Sequence, residues 1–335
     1  MLVQTMTTPA INDLIKKSFV KEVFRPADDV RTIFHKDTMD WSSDRKRVQE
    51  MDRERFAEGK VEGKASAQRG ISQGYAKEIV RRTISVTRKV SGEAYKALTS
   101  HGLAQYATQT GTDVVDKIEL DMRNFIGLGD SASYTDNGGF TIDCTVGDGY
   151  PLFYTAHTLK NSAFTYSNIL SGAPALSENA LPSAEDYFAY NVRDNNGQRI
   201  KMKPNHIITT SKAIMVNRVD RIFGSMSPEK IEGTTNANSG VKNSYKNKGW
   251  KHLVVDFDVD ALDVPDTDLS FYWLLGALGG MPETSFQGWY ISWMSPMVAP
   301  VEIDQDKWTL SYTARAAMGI GAVSGKGLLL VKATA

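Results

Sequence analysis

At 335 residues, 41% hydrophobic and 23% charged, the chain has ordinary globular composition and is long enough for one elaborated domain or two. Thirty-nine basic side chains balance 39 acidic ones, so no global field selects nucleic acid or an anionic membrane as the main partner. The single Cys144 excludes an intrachain disulfide and a cysteine-rich zinc site, as expected of a chain made in a reducing cytoplasm. The start "MLVQTMTTPAINDLIKK" lacks the basic end and apolar run of a secretory signal. The longest apolar run, "FYWLLGALGGM", falls short of the roughly 20 residues that span a bilayer, so a soluble, cytoplasmic chain is expected.

Residues 1–40 combine a short amphipathic segment (Ile11, Leu14, Ile15, Phe19) with extended pieces around Pro26 and read as an arm. From Trp41 to Lys89 the charges number 13 basic against 7 acidic, and they crowd most between Trp41 and Ala65, a segment that cannot bury itself in a core of its own. The tail of the longer stretch, "RRTISVTRKV", alternates like a strand. A charged excursion that returns as a strand predicts a long projecting hairpin, either a solvated loop or one ordered by lying on another subunit.

Ser91 to Ile126 contains no proline, and Val115, Ile118, Met122 and Phe125 recur at helical steps on one face. A long helix is predicted, stopped by "GLGD" at Gly127, with a bend or break expected at Gly102 or Gly111. Ser183 followed by Asp186 predicts a capped helix over "AEDYFAYNVRD", and Ser211 opens another over "KAIMVNRVDRIFG". An Asn-Gly turn and a strand are predicted in "DNNGQRIKMKPNHIITT", and strands in "KHLVVDFDV", "GWYISWMSP", "KWTLSYTARAAMGIG" and "KGLLLVKA". The order is an α+β pattern rather than a βαβ repeat.

The motifs that could carry chemistry fail in specific ways. "VSGKG" ends like a phosphate-binding loop, but Gly327 stands where Ser or Thr would ligate magnesium and Ile320 where the first glycine is needed. "DFDVDA", Asp256 to Ala261, has the acids of a calcium loop, yet Ala261 replaces the turn glycine and Thr267 the bidentate glutamate. His35, His101, His157, His206 and His252 form no zinc-binding helical pair, and no Gly-x-Ser-x-Gly elbow occurs. Asp148, His157 and Ser162 supply the residue types of a hydrolytic triad, which only geometry could establish.

"DGYPLFYTAH" (Asp148 to His157), "TYSNIL" (Thr165 to Leu170) and "ALSENAL" (Ala175 to Leu181) run in that order, followed by "RDNNGQRIKMKPNHIIT", the Asn-rich "TTNANSG" (Thr234 to Gly240) and "KHLVVDFDVDALDVPDTDLSFYWL". This series resembles the major capsid proteins of tailed bacteriophages, in particular the Mu-like major head subunit group with its Hong Kong 97-like fold, over about Arg82 to Leu275. The chain departs from that pattern where "KNSAFTYSN" is poorer in glycine and where Pro182 interrupts the helix after Leu-Ser-Glu.

The resemblance implies an α+β capsid fold. It has an N-terminal arm (1–40), an E-loop hairpin (41–90), a P-domain with a long spine helix (91–180), an A-domain (181–290) and C-terminal strands that complete both domains (291–335). It implies a non-enzymatic shell protein with no catalytic, cofactor or metal residues. Pentamers and hexamers of the chain itself would enclose double-stranded DNA non-specifically. Portal and scaffolding proteins are implied partners, a decoration protein is a further candidate, and no membrane is involved. Expansion would accompany packaging, and the location would be the virion, with assembly in the host cytoplasm. Lys60 and Lys64 lie in the loop that some relatives cross-link, but no partner is identified, and no cross-link is expected. His157 would then be a packed residue after a turn made by Asp148 and Gly149. An encapsulin-like nanocompartment shell and a soluble Ser/His/Asp hydrolase stay open as alternatives.

Overall fold

The computed structural model describes residues 29–53, 71–91, 100–136, 138–173, 175–178, 180–200, 202–224, 243–256, 271–280, 285–298, 302–304 and 309–333, with isolated positions 13, 16, 17 and 93. The amphipathic segment and Pro26, Lys60 and Lys64, "TTNANSG" and all of "DFDVDA" except Asp256 lie outside the described residues.

A 3-10 turn (Asp29–Ile33) leads into β1 (His35–Thr38), the hairpin strands β2 (Arg45–Arg53) and β3 (Ile71–Val80), then β4 (Arg82–Ser91) and the long helix α1 (Ser100–Gly127). The helix is uninterrupted at Gly102 and Gly111, so the expected break is absent; Ser91 itself belongs to β4, and 92 and 94–99 lie outside the described residues. Short hairpins follow: β5 (Ser133–Thr135) with β6 (Thr141–Asp143), and β7 (His157–Leu159) with β8 (Ser162–Tyr166). After β9 (Ile169–Ala173) comes α2 (Leu181–Asp186), which runs into a π-helical turn (Tyr187–Asn191). Ser183 does not cap α2. Ala180 stands at the N-cap and Pro182 lies in the first turn, where its missing N–H has no intrahelical partner to lose. Then come β10 (His206–Thr209), α3 (Ala213–Gly224), β11 (Lys251–Val254), β12 (Trp273–Gly276), β13 (Gly288–Val298), β14 (Glu302–Asp304), β15 (Thr309–Ala322) and β16 (Leu328–Ala333).

Two five-stranded sheets organise these elements. In the first, β15 carries β13 and β14 along one edge and β4 along the other, and β1 pairs parallel to β13. The second has the order β11-β10-β12-β16-β9. Helix α1 lays Ile118, Met122 and Phe125 against the first sheet's Tyr312, Ala314, Ala316 and Met318, as its spacing requires. One face of the second sheet (Ile208, Leu274, Leu328, Leu330) closes this same core. The other face (Ile207, Trp273, Leu275, Leu329, Val331) forms a second core with Leu181, Phe188, Met215 and Val219 from the α2 and α3 side. A strand buried on both faces needs apolar side chains at every position, which is why β16 reads "LLLV" without alternation. No described helix is long and apolar enough to cross a membrane.

Candidate functional site at the stem of the hairpin

Strands β2 and β3 pair antiparallel from Arg45↔Val80 to Arg53↔Ile71, and 54–70, the tip of the expected hairpin, lies outside the described residues. At the root, Ile79 packs into a small cluster with Ile291, Trp293 and Ala317, and Trp293 Nε1 donates to the Ser43 carbonyl at 2.7 Å. Lys46 pairs with Asp37 and holds that carboxyl below its ordinary range. Arg81 pairs with Asp44 and lies 4.0 Å over the Trp41 ring.

Further out, the register slips between Gln49↔Ala76 and Met51↔Gln73, so Glu50 faces two residues, Gly74 and Tyr75. A bulge of this kind re-aims a side chain. Here Glu50 ends up 3% exposed, with its carboxylate between two donors. Lys326 Nζ donates to Oε1 at 2.7 Å and Asn195 Nδ2 to Oε2 at 2.6 Å. A Cβ at position 74 would lie 2.5 Å from Asn195 Nδ2 and 2.9 Å from Glu50 Cβ, so the strand can close on this group only as glycine. Alongside it Lys160 Nζ donates to the Gly74 carbonyl at 2.9 Å and Tyr75 Oη meets Thr158 Oγ1 at 3.1 Å. Lys77 reaches Asp143 at 2.5 Å and Thr145 at 2.7 Å. Burial pushes the Asp143 carboxyl up, but Lys77 and Thr145 outweigh it and the net direction is down.

Where the stem turns into β4, Arg82 bridges two acids whose side chains are wholly buried, Asp121 of α1 at 2.8 Å and Asp136 after β5. Lys117 joins both, at 3.3 and 3.1 Å. Burial raises Asp121, against the opposing pull of Arg82 and Lys117. Burial also pushes Asp136 up, yet the Phe140 N–H, Lys117 and Arg82 overcome it, so Asp136 is lowered.

The hypothetical triad separates. Asp148 and His157 do meet, Nδ1 to Oδ2 at 2.8 Å, and the ring is fully buried, stacked on Tyr166 at 4.9 Å. Asp148 also accepts the N–H groups of Tyr150 at 3.0 Å and Thr158 at 3.3 Å, with Gly149 at φ +85 completing the expected turn. Ser162, however, pairs across the β7-β8 hairpin with Leu159 while His157 pairs with Tyr166. The four strand positions from Tyr166 to Ser162 amount to about 13 Å, well beyond a proton-transfer contact. Among the described residues, no group of three metal-ligating side chains converges.

The other quoted motifs are structural fastenings. Asn168 of "TYSNIL" is fully buried; its Oδ1 accepts the Tyr154 N–H at 2.8 Å and its Nδ2 donates to the Leu152 and Gly325 carbonyls at 2.7 and 3.2 Å. "VSGKG" is the turn between β15 and β16. A Cβ on Gly327 would collide with the backbone of Phe286, so its glycine serves close approach rather than phosphate. Glu50, Asn195 and Lys326 were not singled out by sequence reasoning. The one signal was two glycines flanking a lysine in "SGKG".

No family model matches the chain, and no curated protein does. Solved structures do. An asymmetric unit of the bacteriophage PhiM1 mature capsid is similar at a TM-score of 0.55 with 9% identity, covering 93% of this chain and 88% of that one. A chain from Microbacterium phage Oxtober96 gives 0.53 at 10% identity, covering 93% of each. The chain has the Hong Kong 97-like capsid fold. A virus-like particle from Pyrococcus furiosus shares it at a TM-score of 0.51 and 9% identity, covering 96% of this chain and 98% of that one. In the described part of the stem, Lys46, Lys77, Arg81, Arg82 and Arg88 each meet an acid of their own chain.

Proposed function

We propose that this chain is the major head subunit of a tailed bacteriophage, a structural protein that assembles into pentamers and hexamers and closes an icosahedral shell around double-stranded DNA. The observation that carries this reading is a capsid fold that agrees over nine-tenths of the chain. The structural use of His157 and Asp148, with Ser162 out of reach, removes the hydrolase alternative's geometry. In this proposal residues 1–40 are the arm, 41–90 the E-loop, 91–180 the P-domain with α1 as its spine, 181–290 the A-domain, and 291–335 the strands completing both. Shell closure by repeated heterologous contacts suits a chain with no net charge. Portal, scaffolding and decoration proteins are partners under this reading, DNA is bound through its backbone without sequence preference, and assembly takes place in the host cytoplasm.

The similarity to the Pyrococcus furiosus virus-like particle favours one second reading, an encapsulin-like nanocompartment shell. Negative-stain electron microscopy and size-exclusion chromatography of the purified chain, alone and with a co-expressed scaffold, test both. Shells, tubes or discrete pentamers and hexamers are expected. A persistent monomer or dimer under both conditions refutes either shell reading. Enclosed protein cargo in place of DNA in native particles selects the second.

A further inference from the structure

The hairpin stem touches both halves of the molecule. Its root is set in the first sheet, through Ile79 against Ile291, Trp293 and Ala317 and through the Trp293–Ser43 hydrogen bond. Five residues along, about 17 Å at strand rise, Glu50 is gripped by two turns that border the second core. One is the turn holding Lys326, directly before β16. The other is the 193–199 turn holding Asn195, directly after the π-helical turn whose Tyr187 donates to the Lys326 carbonyl at 3.3 Å.

We propose that the stem is a strap that fixes the two sheets relative to one another, and that the buried Glu50–Lys326–Asn195 group is its releasable end. The physical case rests on asymmetry. Lys326 has a side chain 6% exposed and Glu50 is its one ion-pair partner among the described residues. If the stem lifts, the buried Lys326 ammonium loses its ion-pair partner and Asn195 Nδ2 loses the Glu50 carboxylate. Lifting is therefore all-or-none at this point, unlike the exposed Arg45–Glu78 pair nearer the root, which solvent can replace at little cost. The space around Lys326 reinforces this. A cavity of about 10 Å³ bordered by Glu50, Met202, Ser285, Gln287, Ser324 and Lys326 is no larger than one water, so with the stem seated it is the carboxylate, not bulk solvent, that satisfies the lysine. Any force on the outer hairpin is thus either resisted at Glu50 or transmitted to both turns at once. The strap is a property of the single subunit and stands independently of the shell reading.

Hydrogen–deuterium exchange on the full chain tests it. The double variant Glu50→Gln/Lys326→Met removes both charges together, keeps an acceptor for Asn195, and avoids stranding either ion. Amides at 46–50 and 74–77 and in the turns 193–199 and 323–327 are expected to exchange about tenfold faster together, with β13 and β15 still protected. The single variant Glu50→Gln should show the same regional pattern, more strongly. Uniform acceleration across all elements would mean that the group only adds global stability, and would overturn the proposal. So would acceleration confined to the stem with both turns unchanged, or no acceleration. Assembly state does not enter the readout, so a failure here and a failure of the shell reading are distinct results.

Discussion

Replacing Arg82 by methionine tests the joint where the hairpin meets the long helix. The guanidinium serves two wholly buried carboxylates, Asp121 and Asp136, and its loss leaves Lys117, at 3.3 and 3.1 Å, as the cation facing both, with the Phe140 N–H still donating to Asp136. Breaking a buried ion pair costs about 3–5 kcal/mol. The remaining lysine places this case near the lower end, and the stack of Arg82 on Phe140, centred 4.5 Å away, adds about 0.5–1 kcal/mol. A loss of about 3–4 kcal/mol at pH 7 is expected. Its pH dependence follows from the two acids. Asp121 is raised above its ordinary 3.8, so its contribution to stability is fully present below that value and is lost as pH rises through the folded value. Asp136 is lowered, so its contribution is present above 3.8 and is lost as pH falls through the folded value. Without Arg82 both acids move up. The deficit should be largest at neutral pH and shrink as both take protons. Urea denaturation of wild type and variant at pH 7 and pH 4.5 measures this. A deficit below about 1 kcal/mol at pH 7, or one of equal size at both pH values, would refute the reasoning.

Asn168→Ala removes an acceptor and two donors that join three segments in the interior, and should lower stability by about 2–3 kcal/mol in the same urea assay. Gly327→Ala should abolish soluble folded protein at any expression temperature, since its new methyl meets the Phe286 backbone rather than a side chain that could turn away; circular dichroism of any recovered material checks it. His157→Ala should destabilise by about 2 kcal/mol through the lost Tyr166 stack and the Asp148 carboxylate left buried, whereas Ser162→Ala should stay within about 0.5 kcal/mol. Equal effects of the two would contradict the separation of these residues. Phe125→Ala, at the centre of the first core, should cost about 3–5 kcal/mol in thermal or urea unfolding.

Much of the architecture was legible because it depends on local period. The spacing of Val115, Ile118, Met122 and Phe125 declares which face of α1 is buried, and the uninterrupted "LLLV" of β16 declares a strand covered on both sides. Local chemistry also fixed the Asp148–Gly149 turn and the Asn196–Gly197 turn, where Gly197 has φ +82. Ser183 misled because a helix start is set by the whole first turn: Pro182 fits there, and the residue that looks like a cap lies inside. The stem's anchorage was hidden for a different reason. Glu50 joins residues 145 and 276 positions away, and it points at them only because the ladder slips by one residue. In sequence Glu50 is one charge in a charged run, and nothing in composition tells a buried carboxylate from a solvated one. Asp148, His157 and Ser162 show the converse, since proximity in sequence suggested a site that strand pairing pulls apart.

The pairing of β4 with β15 joins Ser91 to Thr309 and Arg82 to Met318, and β1 lies against β13, with His35 beside Trp289. The second sheet has β16 in its interior, between β12 and β9. Neither large sheet can therefore be completed until residues beyond 309 have been made, roughly 15–60 s after the first at ordinary synthesis rates. Through that interval β4 and β9 exist without their partners, so the nascent chain needs protection along those edges. The fold therefore closes late: the first sheet waits for strands that lie more than 200 residues beyond the partners they complete, β4 for β15 and β1 for β13, and the second waits for β16.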